Sequence, residues 1–205
     1  MGTTLLLTIA VAMLLGLRHA TDPDHLTAVT TLIAGRERAV RSAARLGLAW
    51  GIGHATTLIA FGLPIILYRA FLPEVVQRAA ETAVGVVIVA LAIALLHRHR
   101  APHGRRSRTP LQAYGIGVVH GTGGSAGVGV LLLASNPSHT LAAACLVVFA
   151  LCTALSMAVL SSGFGLTLAR PAVQRGFARL APAFALASLA FGIWYALGAQ
   201  HVVPY

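Results

Sequence analysis

Residues 5–33 read LLLTIAVAMLLGLRHATDPDHLTAVTTLI, and this stretch decides the fold class. Two apolar segments flank a heptad, residues 19–25, that holds two imidazoles and two carboxylates. Ionisable groups at the centre of a bilayer cost roughly 2.5 kcal/mol or more each unless they pair, face water or bind an ion. Pro23 disturbs a helix here, because proline removes a backbone hydrogen bond and frees a carbonyl. We therefore expect a membrane-spanning helix that is broken at a functional site.

The composition of the whole chain is typical of an integral membrane protein. Of 205 residues, 57% are hydrophobic and only 10% are charged, whereas about 25% are charged in soluble domains. We predict an all-α fold, a polytopic transmembrane bundle of about six spans that forms a single integral membrane domain over residues 1–205. The expected spans are 3–34 (broken by the heptad), 46–70, 78–97, 111–135, 140–169 and 181–199.

Membrane topology explains the net charge of +10, which comes from 15 arginines and five acids. Most arginines lie in three short segments between spans, residues 36–45, 97–110 and 170–179. Because cytoplasmic loops collect arginine, these segments are predicted to be cytoplasmic, with both termini outside and the chain in the cell (inner) membrane. A first segment that forms two short spans or a re-entrant hairpin would instead put the N-terminus inside. No aromatic residues alternate with the basic ones, so nucleic acid is not an expected partner.

A short pattern, Gly-x-x-His-[Ala/Gly]-Thr, occurs at residues 16–21, 51–56 and 117–122. The first and third copies belong to the first and fourth predicted spans, so three spans separate them. Two halves, about 1–97 and 111–205, would then be related by an axis in the membrane plane, with the basic cytoplasmic loop 98–110 between them. Such a 3+3 inverted repeat with broken helices is a transporter architecture. A chance match is the alternative, because Gly, Ala and Thr are abundant.

The candidate metal-binding residues come from the heptad and from the other two copies of the pattern. They are His19, Asp22, Asp24, His25, His54 and His120. Imidazole nitrogens, carboxylate oxygens and a freed carbonyl form a mixed donor set that suits Ni²⁺, Co²⁺ or Zn²⁺. Other interpretations stay open: either aspartate could cap a helix or relay protons, and His54 or His120 could be an ordinary core histidine.

Two further groups of potential ligands are expected to have ordinary roles. His97, His99 and His103 lie in the second basic segment, where five arginines oppose the binding of a cation, so we expect a solvated loop rather than a metal-collecting one. Cys145 and Cys152 lie in one apolar span and are expected to be small apolar fillers.

Two other classes of protein are alternatives to a metal transporter. A metal-dependent intramembrane oxidase typically needs several Glu and His per two-metal site, which is more than the roughly five available for such a site here. A serine hydrolase would pair Ser125 with His54 or His120. Residues 123–127, GGSAG, have the G-x-S-x-G spacing, but that elbow sits on a strand-to-helix turn and no strand is expected in this chain. A proton-coupled transporter of another small solute would use the two aspartates of the heptad as relays and Arg18 as an anion partner.

Three segments resemble the nickel/cobalt permease family. Residues 16–25, GLRHATDPDH, closely resemble the His-x4-Asp-His signature of these permeases. Residues 53–56, GHAT, resemble their second histidine-bearing span, and residues 119–127, VHGTGGSAG, resemble the His-Gly-x-x-Gly-Ser-Ala segment of a shorter branch related to urease-accessory nickel permeases. The resemblance implies that His19, Asp24 and His25 select the metal and that His54 assists them.

The chain also departs from the family pattern. It has fewer expected spans than the longer permeases, no second acidic signature, and no long histidine-rich loop of the kind found in the efflux branch. We predict a permease for Ni²⁺ or Co²⁺ that is not an enzyme and uses no cofactor, with the ion as its substrate and the bilayer as its surroundings. The choice of metal, the direction of transport, the energy source and the oligomeric state stay open at this point.

Overall fold

The computed structural model describes residues 2–33, 40–68, 73–100, 109–123, 136 and 138–202. Within these ranges the chain forms seven α-helices and no β-strand, which confirms the predicted all-α class. The helices are α1 (Gly2–His19), α2 (Pro23–Ile33), α3 (Val40–Tyr68), α4 (Glu74–Arg100), α5 (Pro110–His120), α6 (His139–Leu168) and α7 (Pro171–Ala199).

Most of these helices are long and apolar enough to cross a membrane. Helices α3, α4, α6 and α7 pass this test individually, and α1 and α2 pass it as a pair bent by 45° at a short break. The described part of the chain is therefore a helical membrane-type bundle with four spans, or five with the bent pair. The described residues do not show the span predicted at 111–135. Helix α5 has only 11 residues, and residues 124–135 lie outside the described ranges.

Two helices begin six or more residues before the span starts that hydropathy predicted. Helix α3 starts at Val40 and α7 at Pro171, ahead of the span starts expected at 46 and 181. Parts of all three arginine-rich segments expected as loops are helical, including Arg41 in α3, Arg100 at the end of α4 and Arg175 in α7. Hydropathy marks only the apolar part of a helix, whereas helical hydrogen bonding continues through turns whose long basic side chains reach water.

The predicted break in the first span lies between α1 and α2. The amide and the hydroxyl of Thr21 both donate to Arg18 O, at 2.8 and 2.6 Å, and close the end of α1. Pro23 is the first residue of α2, a position that suits proline because its missing N–H would have no partner within the helix. Pro23 thus starts a new helix instead of bending a continuous one.

Helix α5 ends with the same local structure as α1. The amide and the hydroxyl of Thr122 both donate to Val119 O, at 3.2 and 2.6 Å. The threonine of the repeated pattern therefore closes a helix in the first and third copies. The second copy lies inside the continuous helix α3, where Thr56 donates to Ile52 O of its own helix at 2.8 Å.

At each of these two helix ends, a hydroxyl from a neighbouring long helix donates a hydrogen bond to a backbone carbonyl. Ser156 of α6 donates to Leu17 O in α1, and Thr57 of α3 donates to Val118 O in α5, both at 2.9 Å. In a continuous helix these two carbonyls would accept the amides of the closing threonines, which donate elsewhere. The hydroxyls satisfy backbone groups that the breaks release, as non-helical backbone within a membrane requires.

The broken ends of α1 and α5 pack closely on long helices. Helix α1 packs on α6, α5 packs on α3, α3 packs on α6, and α4 packs on α7. A Cβ at Gly16 would lie 2.5 Å from Phe149 O, and a Cβ at Gly117 would overlap Trp50 O. The glycine of the repeated pattern thus lets each broken helix lie directly on the backbone of its partner.

Candidate metal centre

The structure brings five of the six predicted ligands into one buried group. His19 is the last residue of α1, Asp24 and His25 are in the first turn of α2, His54 is in the middle of α3, and His120 is the last residue of α5. All five are buried, and His54 and His120 have an exposed fraction of 0%. We call these five residues the histidine cluster. It is built where two broken helices end against one continuous helix.

Three imidazoles of the cluster face one another. The Nε2 atoms of His19 and His54 lie 3.0 Å apart, and the ring of His25 is centred 4.5 Å from that of His19 and 5.0 Å from that of His54. One ligand atom from each lies within 4.8 Å of the other two. With imidazole–metal distances of about 2.0–2.1 Å, as for zinc, two nitrogens at the separation of His19 and His54 subtend roughly 95° at an ion. This angle is acceptable in the coordination sphere of a first-row divalent ion.

A second group of ligand atoms overlaps the first. Asp24, His25 and His120 also each offer a ligand atom within 4.8 Å of the other two. His120 Nε2 lies 3.3 Å from Asp24 Oδ2, and the His25 and His120 rings are centred 4.6 Å apart. Because His25 belongs to both groups, the cluster offers two adjacent positions for a cation.

The two aspartates of the heptad lie behind two of the imidazoles. Asp22 Oδ2 is 3.2 Å from His19 Nδ1, and Asp24 Oδ1 is 3.2 Å from His25 Nδ1. A carboxylate in this position accepts the Nδ1–H, fixes the ring orientation and leaves Nε2 as the ligand atom. The sixth predicted residue, Asp22, is thus placed where it can orient His19, on the side of the ring away from His54.

Several polar atoms of the cluster are unpaired. His25 Nε2, His54 Nδ1 and His120 Nδ1 are buried and have no hydrogen-bond partner in the described part of the chain. The contact between Asp24 and His120 is also not aligned as a hydrogen bond. A buried polar group without a partner costs about 1–3 kcal/mol. A cluster with several such atoms has the unsatisfied donor and acceptor capacity expected of a binding site.

Two aromatic side chains wall the cluster and were not predicted as part of the site. The Trp50 ring is centred 5.6 Å from His25 and 5.7 Å from His120, and Phe149 lies 5.6 Å from His19. Both are almost completely buried. An apolar shell of this kind controls the access of water to a metal site. In the sequence, nothing distinguishes Trp50 and Phe149 from aromatic residues of an ordinary hydrophobic core.

Other residues considered in the sequence analysis are not in the cluster. His97 and Arg18 are exposed. His97 and His99 lie in the last turn of α4 and not in a loop. The side chains of His99, His103 and Ser125 lie outside what the structure describes, so the serine–histidine pairing has no structural account. The two cysteines on α6 have free thiols.

A buried carboxylate near the cluster was missed by the sequence analysis. Glu81 of α4 is 8% exposed, and Gln77 donates its amide to Glu81 Oε1 at 3.0 Å. A Cβ at Gly123, in the turn after His120, would lie 3.0 Å from Glu81 Cα. The signal in the sequence was available, because Glu81 is the only charged residue of residues 79–97.

Comparisons with known proteins find two curated relatives. The chain is 31% identical over 147 residues to the urease accessory protein UreH of Bacillus sp. (strain TB-90), an alignment that covers 64% of this chain and 64% of that protein. It is 27% identical over 164 residues to the chloroplast protein FOR GROWTH AND FERTILITY 1 of Arabidopsis thaliana, over 69% of this chain and 44% of that protein. The chain thus spans less than two thirds of either relative. No family model and no solved structure matches it.

Proposed function

We propose that this chain is a membrane permease for divalent transition metal ions, Ni²⁺ or Co²⁺, and that the histidine cluster binds the ion during transport. The observation that carries the proposal is the convergence of four buried imidazoles and a carboxylate where two helices are broken, with unpaired ring nitrogens among them. Inside a membrane such a group is costly unless it binds an ion or lines a path. The ion is a transported substrate, and no cofactor or catalytic step is part of the proposal.

The comparisons support this function at a coarser level. The heptad resembles the signature of nickel/cobalt permeases, and residues 119–127 resemble a branch related to urease-accessory nickel permeases. The similarity to a protein named as a urease accessory protein agrees with that branch. Together they favour a transport role over a catalytic one.

The donor set supports an ion of borderline hardness. Within the described residues the cluster combines imidazole nitrogens and carboxylate oxygens, and a set without thiolate disfavours Cu⁺. We propose that His19, His25 and His54 supply the first ligands through Nε2, that Asp22 and Asp24 orient them, and that the group of Asp24, His25 and His120 forms the adjacent position. The affinity order of first-row ions then gives Ni²⁺ an advantage over Co²⁺.

The route of transport follows from a proposed 3+3 inverted repeat. Its support is the matched packing of α1 on α6 and α5 on α3, with matched hydroxyl contacts at both helix ends. Helices α4 and α7 cross reciprocally, since a Cβ at Gly85 would lie 2.9 Å from Gly192 O and a Cβ at Gly192 would lie 3.1 Å from Gly85 O. Rocking of the two halves would expose the cluster to each side in turn.

The remaining features of topology belong to the same proposal. Residues 124–135 would complete the fourth of six spans. The protein would lie in the inner membrane of the cell. Its arginine-rich segments would face the cytoplasm, and both termini would lie outside.

Metal binding to detergent-purified protein tests the proposal. We expect one specific site for Ni²⁺ or Co²⁺ in the wild-type protein by equilibrium dialysis or calorimetry, and its loss in His25→Ala and in His54→Ala. The matched control is His201→Ala, which removes an exposed imidazole outside the cluster. Unchanged binding in His25→Ala would overturn the assignment of the site, and the absence of metal accumulation in wild-type proteoliposomes would overturn the function.

A proton-coupled transporter of another small solute is the second candidate. It is favoured by the two His–Asp pairs at 3.2 Å, which have the geometry of proton relays. A protein that binds neither ion but carries protons across proteoliposome membranes, with loss of this activity in Asp22→Asn, would establish this alternative.

A further inference from the structure

Glu81 occupies a position of α4 that the helix otherwise fills with aliphatic side chains. The buried stripe of α4 includes Glu81, Val84, Ile88, Leu91 and Leu95, at helical spacing. An acid within a membrane span is by default a functional residue, because burial of its charge is costly. Gln77 donates its amide to Oε1 of this acid at 3.0 Å, which orients the carboxylate.

The turn that follows the histidine cluster lies directly on Glu81. Gly123 is three residues after His120, and a Cβ there would lie 3.0 Å from Glu81 Cα and 3.1 Å from Glu81 N. Helix α4 also packs on α2, which carries Asp24 and His25. On that side, Leu91 shares an apolar cluster with Val29. Helix α4 therefore passes beside the histidine cluster, and Glu81 lies where the backbone leaves His120.

The order of the anionic and imidazole groups gives a path for a cation. The group of His19, His25 and His54 is followed by the group that contains Asp24 and His120, and the turn after His120 leads to Glu81. We infer that Glu81 is a second cation-binding side chain, placed between the histidine cluster and the membrane face at which α4 begins. This inference rests on the proposed function and assigns a residue of its transport path.

The charge of Glu81 makes the two sides of the path unequal. The reciprocal crossing makes Gly85 and Gly192 corresponding residues of the two proposed halves, and the same offset makes Ser188, which is also buried, the counterpart of Glu81. The corresponding position of the other half thus carries a neutral hydroxyl. A cation that leaves the cluster towards Glu81 meets a carboxylate, whereas the corresponding position on the opposite side is that of the Ser188 hydroxyl. The effect of removing Glu81 is therefore expected to depend on the side from which the ion arrives.

Reconstituted protein tests this role with Ni²⁺ as the probe. In Glu81→Gln we expect Ni²⁺ binding to the cluster with unchanged stoichiometry, while the initial rate of Ni²⁺ transport falls about tenfold, the effect of about 1.4 kcal/mol on a barrier. The fall should be larger for Ni²⁺ added on one side of the membrane than on the other, and Glu81→Asp should restore part of the rate. The matched control is Glu74→Gln, which removes an exposed carboxylate from the same helix and should transport at the wild-type rate.

The outcomes separate this inference from the function on which it rests. Wild-type vesicles that do not accumulate Ni²⁺ would overturn the permease and the role of Glu81 together. Normal wild-type transport with an unchanged rate in Glu81→Gln from both sides would overturn only the role of Glu81. Loss of Ni²⁺ binding in both Glu81→Gln and Glu81→Asp would indicate a structural role, and would also overturn the assignment.

Discussion

At the scale of single residues, neighbouring side chains of the heptad have two different roles. His19 and His25 present Nε2 towards the other imidazoles, while Asp22 and Asp24 contact their Nδ1 atoms at 3.2 Å. A metal-binding imidazole commonly has such a carboxylate behind it, because the contact fixes the ring and raises its basicity. The spacing of the heptad indicated a site, but not which acids would lie behind rings.

Asp22 gives a prediction that separates an orienting residue from a ligand. In Asp22→Asn we expect Ni²⁺ affinity to fall by about 10–100-fold, with the stoichiometry of binding unchanged, because His19 keeps its nitrogen but loses its fixed orientation. Titration of purified protein measures both quantities. Complete loss of the site, as expected for His25→Ala, would show that Asp22 itself coordinates the ion.

At the scale of helices and turns, two adjacent threonines of α3 test the contact between α3 and α5. The hydroxyl of Thr57 reaches α5, whereas that of Thr56 does not. Thr57→Val removes the donor to Val118 O and leaves that carbonyl without its partner from α3, at a cost of about 1–3 kcal/mol. We expect a lower temperature of thermal unfolding in detergent. Thr56→Val is the adjacent control, because Thr56 bonds its own helix and is exposed. Equal effects of the two substitutions would contradict this role of Thr57.

The packing of α5 on α3 gives a second prediction at this scale. Gly117→Ala places a Cβ against the backbone of Trp50 and should push α5 away from α3, so that both thermal stability and Ni²⁺ binding decrease. Gly115→Ala, on the same helix, meets no atom within 4 Å and should be neutral or stabilise the helix by up to about 1 kcal/mol. Similar behaviour of the two variants would show that the close approach at Gly117 does not limit the fold.

The elements that the sequence predicted well are those with a local signal. The break at Pro23 and the apolar spans follow from residue types that act over one or two turns. The span predicted at 111–135 continued through His120, although the glycines in residues 121–127, GTGGSAG, were compatible with an unwound turn there or with close helix approach. The signal for the end of α5 was the Thr122 hydroxyl, which becomes recognisable only beside the matching hydroxyl of Thr21.

At the scale of the whole molecule, the cluster depends on contacts that no local pattern encodes. His19 and His54 are 35 residues apart in the chain, and their Nε2 atoms meet at 3.0 Å. The sequence placed both residues in one site only through their similar surroundings and the family resemblance. The positions of Trp50 and Phe149 around the cluster arise from the assembly of helices and had no comparable signal, whereas the isolated charge of Glu81 within its span was a signal that the sequence analysis missed.

Binding of the ion should stabilise the whole bundle, since the cluster joins α1, α2, α3 and α5. For a site that exists only in the folded protein, a free ion concentration of about 100 times the Kd adds about 2.7 kcal/mol of stability. We expect Ni²⁺ to raise the temperature of thermal unfolding of the wild-type protein and of His201→Ala, but not that of His25→Ala. A rise of the same size in all three proteins would point to binding elsewhere.

Helix α6 supplies no ligand to the cluster, yet it carries Phe149 beside His19 and the hydroxyl of Ser156 that completes α1. This helix thus belongs to the scaffold of the cluster and not to its donor set. A genetic screen for strains that have lost metal transport should return substitutions on the buried face of α6 as well as at the histidines. Second-site suppressors of such α6 alleles should cluster on the facing side of α1, around Gly16 and Leu17, where a compensating change in side-chain volume can reseat the end of the helix.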